Sequence, residues 1–102
     1  MKLTYDHYEK VQNLFYRIED HYPDLPEDIE VYLIHDSDYE AYGWQAPGEI
    51  GINFAVCKNW KDVVGTLIHE YWHFFQIHED WTEEECDAVA ARDLEKFLEE
   101  PK

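Results

Sequence analysis

The chain has 102 residues, with eight Lys plus Arg against 24 Asp plus Glu, a formal net charge of −16. Hydrophobic residues make up 45% and aromatics 17%, which is enough for one packed domain over 1–102, too much for full disorder, and short of a second domain. So acidic a surface repels nucleic-acid phosphate and anionic lipid. No apolar run reaches the roughly 18 residues of a membrane helix, and Met1–His7 lacks the apolar stretch of a signal peptide, so a cytoplasmic protein with no nucleic-acid and no membrane partner is expected.

The first helix is predicted over 4–21, where Val11, Leu14, Phe15 and Ile18 recur at helical spacing. Tyr22-Pro23-Asp24-Leu25-Pro26 stops it, because two prolines cannot continue a helix. Ile29 to His35 is rich in β-formers and reads as a strand. Tyr39 to Trp44 reads as a second, irregular strand, and Ala46-Pro47-Gly48 as a turn. Glu49 to Val56 alternates, with Ile50, Ile52, Phe54 and Val56 on one face, the pattern of a half-buried antiparallel strand.

A long helix is predicted from Asn59 or Trp60 to His78, and a last one from Thr82 to Glu99, opened by a Thr82/Glu85 capping box. The fold class is therefore α+β, with a small, mostly antiparallel sheet packed on an N-terminal helix, a long central helix and a C-terminal glutamate-bearing helix. Cys57 and Cys86 do not make a disulfide framework and read as small core hydrophobes. His7, His21 and His35 show no partners in the sequence.

The chemistry is concentrated in His69-Glu70-Tyr71-Trp72-His73, an H-E-x-x-H motif inside the long helix. Residues i and i+4 sit one turn apart on one face, so two imidazoles reach one metal ion, and the adjacent Glu70 carboxylate is placed to take a proton from water. At 100° per residue, with His69 at zero, His73 falls at about 40°, while Val63, Val64, Leu67, Ile68, Tyr71, Phe74 and Phe75 fall between about 120° and 260°. The imidazoles therefore oppose the apolar face. Gly65, one turn before His69, leaves room for a neighbouring strand or ligand. A zinc site needs a third protein ligand. In the last helix, Glu83 and Asp87 continue an apolar stripe of Ala90, Ala91, Leu94, Phe97 and Leu98, and carboxylates set into such a stripe need a partner. Glu79 and His78 are the weaker alternatives.

With these residues in view, the chain resembles the gluzincin-type zincin metallopeptidases, and by size the minimal gluzincins and the IrrE/ImmA-like phage peptidases. The resemblance covers about residues 45–98. It rests on H-E-x-x-H and on Glu83-Glu84-Glu85-Cys86-Asp87-Ala88-Val89-Ala90, which is similar to the family's E-x-x-A-D-x-x-A helix with Cys86 in place of the first Ala. It implies a zincin-like fold, a Zn2+ cofactor held by His69, His73 and Glu83, and Glu70 as general base in hydrolysis of a peptide or protein substrate. Asp87 then holds a ligand histidine by hydrogen bond. Only ten positions separate His73 from Glu83. In a tight helical hairpin Asp87 lies nearer the level of His73, so Asp87 is the alternative third ligand. The resemblance also sets Glu49–Val56 at the sheet edge, where an extended peptide binds. Asn53 is a candidate substrate contact, and Tyr39, Tyr42 and Trp44 are candidate cleft or oxyanion residues. The rival reading is a non-catalytic, zinc-stapled acidic interaction protein, or a DNA-mimic inhibitor.

Overall fold

A computed structural model describes residues 1–22, 25, 27–78 and 80–98. The element order is α1 (Tyr5–His21), β1 (Glu30–Ile34), β2 (Gly43–Ala46), β3 (Glu49–Asn53), α2 (Trp60–His78) and α3 (Glu83–Leu98). The prolines expected to end α1, the alternative ligand Glu79 and the segment Pro101-Lys102 lie outside the described residues. Among the described residues no helix is long and apolar enough to cross a membrane.

The helices fall where their periodicity places them. α1 buries Val11, Leu14, Phe15 and Ile18. The capping box of α3 is formed reciprocally: the Glu85 backbone N–H donates to Thr82 Oγ1 at 3.1 Å, and the Thr82 N–H to Glu85 Oε2 at 3.1 Å. At the start of α2 the Asp62 N–H donates to Asn59 Oδ1 at 3.0 Å, and Asp62 in turn accepts the Lys58 N–H at 2.9 Å.

The sheet corrects two expectations. It has three strands in the order β1-β3-β2, with β1 parallel and β2 antiparallel to β3. It is therefore mixed rather than mostly antiparallel, and β3 is its centre rather than its edge. Strand β3 is also covered on both faces. Ile50 and Ile52 are fully buried against the helices, flanked in register by Val31 and Leu33 of β1. On the opposite face the Trp44 ring lies so close over Gly51 that a Cβ there would sit 2.2 Å from it. A strand paired on both sides and covered on both faces is not the half-buried strand that alternation suggests.

The second strand runs over Gly43–Ala46 rather than Tyr39–Trp44. Its turn has Pro47 at the second position and Gly48 at the third, where φ is +72°, the left-handed value that favours glycine. The reason for the shift is Asn53. Its fully buried side chain donates Nδ2–H to the carbonyls of Asp36 (3.0 Å) and Tyr39 (2.8 Å), and its Oδ1 accepts the Asp36 N–H at 3.0 Å and the Ala55 N–H at 3.1 Å. Backbone groups that a strand would give to its neighbour are taken by one amide. The same bonds end β3 three residues before Val56.

Trp72, Phe74, Phe75, Leu67 and Ile68 of α2 meet Phe15, Ile18, Ile50, Ile52 and Phe54 in a single core. Helix α3 returns along α2 as a hairpin. The Cys86 thiol donates to the Trp72 carbonyl at 3.6 Å, and Gly65 faces Leu94. A second tie crosses between α1 and α3. The Tyr22 hydroxyl donates to Asp93 Oδ2 at 2.6 Å, Arg92 forks onto both Asp93 oxygens at 2.9 and 3.2 Å, and His21 lies 3.7 Å away. Burial, and then the Asp93 bond, push the Tyr22 phenol well above its ordinary range. Arg92 and Tyr22 hold the Asp93 carboxyl low against its own burial.

Candidate metal centre

Helix α2 buries Val63, Val64, Thr66, Leu67, Ile68, Tyr71, Trp72, Phe74 and Phe75, so between its exposed ends all but one stripe of its surface faces protein. The remaining stripe carries Gly65, His69, Glu70, His73 and Gln76, with His69 exposed and the others half-buried. The opposition of imidazole and apolar faces read from the helical angles therefore holds, with Trp72 widening the buried arc.

The two imidazoles converge. Their Nε2 atoms stand 3.1 Å apart, with ring centroids at 4.7 Å and planes at 89°. Gln76, one turn beyond His73, supplies its Oε1 at 2.7 Å from His73 Nδ1. An amide oxygen there accepts an Nδ1–H, which leaves the Nε2 lone pair of His73 turned toward His69. Two nitrogens at about 2.0–2.1 Å from one tetrahedral ion lie about 3.3 Å apart, so the observed spacing needs an adjustment of only a few tenths of an ångström. The ligand-capable atoms of His69, Glu70 and His73 all lie within 4.8 Å of one another. Burial raises the Glu70 carboxyl above its usual range, and the neighbouring His69 and His73 pull against that rise.

Two hollows flank this group. A cavity of about 320 Å³ opens beside His69 and Glu70, with Gly65, Thr66, Leu94 and Tyr42 among its walls. That size is at the small end of ligand pockets, about 300–1,000 Å³. On the other side is a crevice of about 10 Å³ between α2 and α3, lined by His69, Trp72, His73, Gln76, Glu83, Cys86, Asp87 and Ala90. Trp72 Nε1, buried and without a hydrogen-bond partner among the described residues, belongs to a side chain that borders this crevice.

Glu83 and Asp87 thus share a crevice with both imidazoles, but they are exposed and are not set into the apolar stripe. The stripe of α3 runs through Cys86, Asp93 and Phe97, about 80° around the helix from the expected centre. It is displaced because Asp93, which looks polar in sequence, is buried by its bonds to Tyr22 and Arg92. The hairpin is the tight one: Trp72 opposite Cys86 and Gly65 opposite Leu94 set Asp87 at the level of His73 and Glu83 near Gln76.

Other expected site residues fall elsewhere. Asn53 is fully buried and spent on the 36–41 loop, so it contacts no substrate. The Trp44 ring covers Gly51, and Tyr39 packs on it edge-on at 6.1 Å; only Tyr42 of the three aromatics reaches the cavity. His78 pairs with Glu27. His7 caps α1, accepting the Thr4 N–H at 3.0 Å, and His21 meets Asp93 and Lys96, so neither lacks a partner. Cys57 and Cys86 are buried, as expected, and burial raises both thiols. Gln76 was not anticipated as the acceptor for His73. Its signal in the sequence is the i, i+3 spacing from a ligand-type histidine.

Compared with models of protein families, with curated proteins and with solved structures, the chain matches none. The resemblance to gluzincins therefore stands on the motif residues alone.

Proposed function

We propose that the protein is a zincin-like, zinc-dependent metallopeptidase acting on a peptide or protein substrate. The observation that carries this reading is the pair of imidazoles on one turn of α2, with Nε2 atoms 3.1 Å apart, one of them oriented by Gln76. His69 and His73 would hold the ion with a carboxylate from α3. The resemblance names Glu83 for that role, and the hairpin register favours Asp87. A zinc ion held there supplies a Lewis acid that polarises a carbonyl and makes water more acidic. Glu70 takes the proton from the attacking water and returns it to the leaving amine. Burial raises the affinity of Glu70 for a proton, the direction a general base needs. The cavity lined by Gly65, Leu94 and Tyr42 receives a substrate side chain beside the scissile bond.

The test is Glu70→Gln. The variant is expected to bind zinc as the parent does and to cleave nothing in a mixed peptide library that the zinc-loaded parent cleaves. Equal turnover by the variant removes Glu70 from the mechanism. Glu83→Gln and Asp87→Asn, assayed separately for zinc affinity, identify the third ligand.

A second reading is favoured by the narrowness of the crevice of about 10 Å³ between the imidazoles and α3. If Glu83 and Asp87 both close on the ion, four protein ligands complete a tetrahedron, and the metal staples an acidic interaction module instead of activating water. X-ray absorption on the zinc-loaded protein separates the two. Four protein ligands mean a staple, and three plus water mean catalysis.

A further inference from the structure

The seam between α1 and β1 is incompletely filled. Two adjoining hollows, of about 580 and 470 Å³, run along it and share Gln12 and Val31. Val31 and Leu33 of β1 are only half-buried there, although their neighbours in register, Ile50 and Ile52, are fully buried. Tyr5, Tyr8 and Tyr16 of α1 stand over the seam at 90%, 51% and 55% exposure. Strand β1 is an edge strand that pairs only with β3, and among the described residues its outer side makes no backbone–backbone bond. Open donors and acceptors, an apolar floor and an aromatic wall therefore lie along one line.

From this juxtaposition we infer that the seam binds an extended, basic segment of a partner protein, which adds as a fourth strand on the outer edge of β1. The inference is independent of the metal site. The dimensions agree with it: β1 spans about 17 Å at about 3.3 Å per residue, and α1 from Tyr5 to Glu19 spans about 21 Å at 1.5 Å per residue, so five or six residues of extended chain fill the seam. Such a segment offers alternate side chains to the two faces, apolar ones to Val31 and Leu33 and polar ones to the rim.

Charge selects the partner. Glu9 lines one hollow, Glu19, Asp28 and Glu30 line the other, and among the described residues no lysine or arginine lines either. Arginine is favoured twice over, by the carboxylates and by the faces of the exposed tyrosines. The same charge disfavours a second copy of the chain, because two partners at −16 repel each other.

The experiment uses the full chain and a capped peptide of about eight residues alternating arginine and valine, followed by calorimetry and by amide NMR shifts. The expected result is binding that shifts the amides of β1 and of Tyr5 to Tyr16 and leaves those of His69 and His73 unmoved. Methylating alternate peptide nitrogens removes several backbone bonds and is expected to weaken binding by at least about tenfold. Replacing arginine by glutamate is expected to abolish it, and raising salt from about 0.1 M to about 1 M to weaken it, since the screening length shrinks from about 10 Å to about 3 Å. Leu33→Asp tests the floor but risks the fold. Tyr5→Ala with Tyr8→Ala alters only exposed side chains and is expected to weaken binding while the melting temperature holds. Equal binding of the methylated peptide means diffuse charge attraction and overturns the proposal. So do shifts confined to other surfaces, indifference to the tyrosine changes, or a dimer of the chain alone that involves β1.

Discussion

Gln76→Leu isolates the contact that orients His73. The amide oxygen of Gln76 lies 2.7 Å from Nδ1 of His73 and fixes which ring nitrogen carries the proton. Leucine, apolar and forked one carbon nearer the backbone, accepts no hydrogen bond, so the ring is freed to rotate and to place its proton on Nε2. Losing such an outer partner costs about 10–100-fold in metal affinity, which is about 1.4–2.8 kcal/mol. Gln76→Glu places a charged acceptor at the same point, and charge-assisted bonds are about twice as strong as neutral ones, so zinc is expected to bind more tightly than to the parent. The assay is competition for zinc against a chromophoric chelator at fixed pH, with circular dichroism and melting of the zinc-free proteins as controls. Because Gln76 is only half-buried, the zinc-free stabilities are expected to agree within about 0.5 kcal/mol. If the leucine and glutamate variants both bind zinc within about twofold of the parent, the oriented imidazole pair is not a metal site, and the proposed function fails with it.

Four further outcomes concern the scaffold. Tyr22→Phe leaves Asp93 short of a charge-assisted bond and is expected to cost about 1.5–3 kcal/mol in urea unfolding. Arg92 and Tyr22 hold the folded Asp93 carboxyl below its unfolded value, so its stabilisation is complete above about pH 4 and is lost as pH falls through the folded value; Asp93→Asn is expected to flatten that acid limb, and an unchanged limb would rule the carboxylate out as its source. Asn53→Ala strands the bonds of the 36–41 loop and is expected to cost about 2–4 kcal/mol, with loss of hydrogen-exchange protection at Asp36 and Ala55 as the local signature. Gly43→Ala sets a Cβ 2.3 Å from the Gly51 carbonyl oxygen, which as backbone has little freedom to move, whereas Gly51→Ala meets the Trp44 ring at 2.2 Å, a side chain that can swing aside. The first is expected to cost about 1–3 kcal/mol and more than the second, and the reverse order in thermal melts would contradict the packing described.

The parts legible in the sequence are those that local physics decides. Helix spacing placed α1 and α2, Thr82 and Glu85 announced the cap of α3, and the i, i+4 histidines lie on one face because any helix puts them there. What escaped depends on partners far along the chain. A buried aspartate looks like surface until Tyr22 is brought to it, and so periodicity alone sets the stripe of α3 about 80° off and through Glu83 and Asp87. A buried asparagine looks like an exposed strand residue until a loop folds onto it, and so β2 was placed four residues early. Strand order is non-local altogether: the alternation of Ile50, Ile52 and Phe54 is as compatible with an edge as with a centre until both neighbours are known.

The mixed sheet also fixes an order of assembly. Strands β2 and β3 are joined by a two-residue turn whose glycine already has the required backbone angle, so their pairing closes almost no loop. Strand β1 meets β3 only by joining Glu30 to Glu49, and the larger closure is entropically slower and contributes nothing until the hairpin offers a finished flank. The first strand in the chain is thus expected to arrive last and, under mild denaturant, to lose its amide protection first.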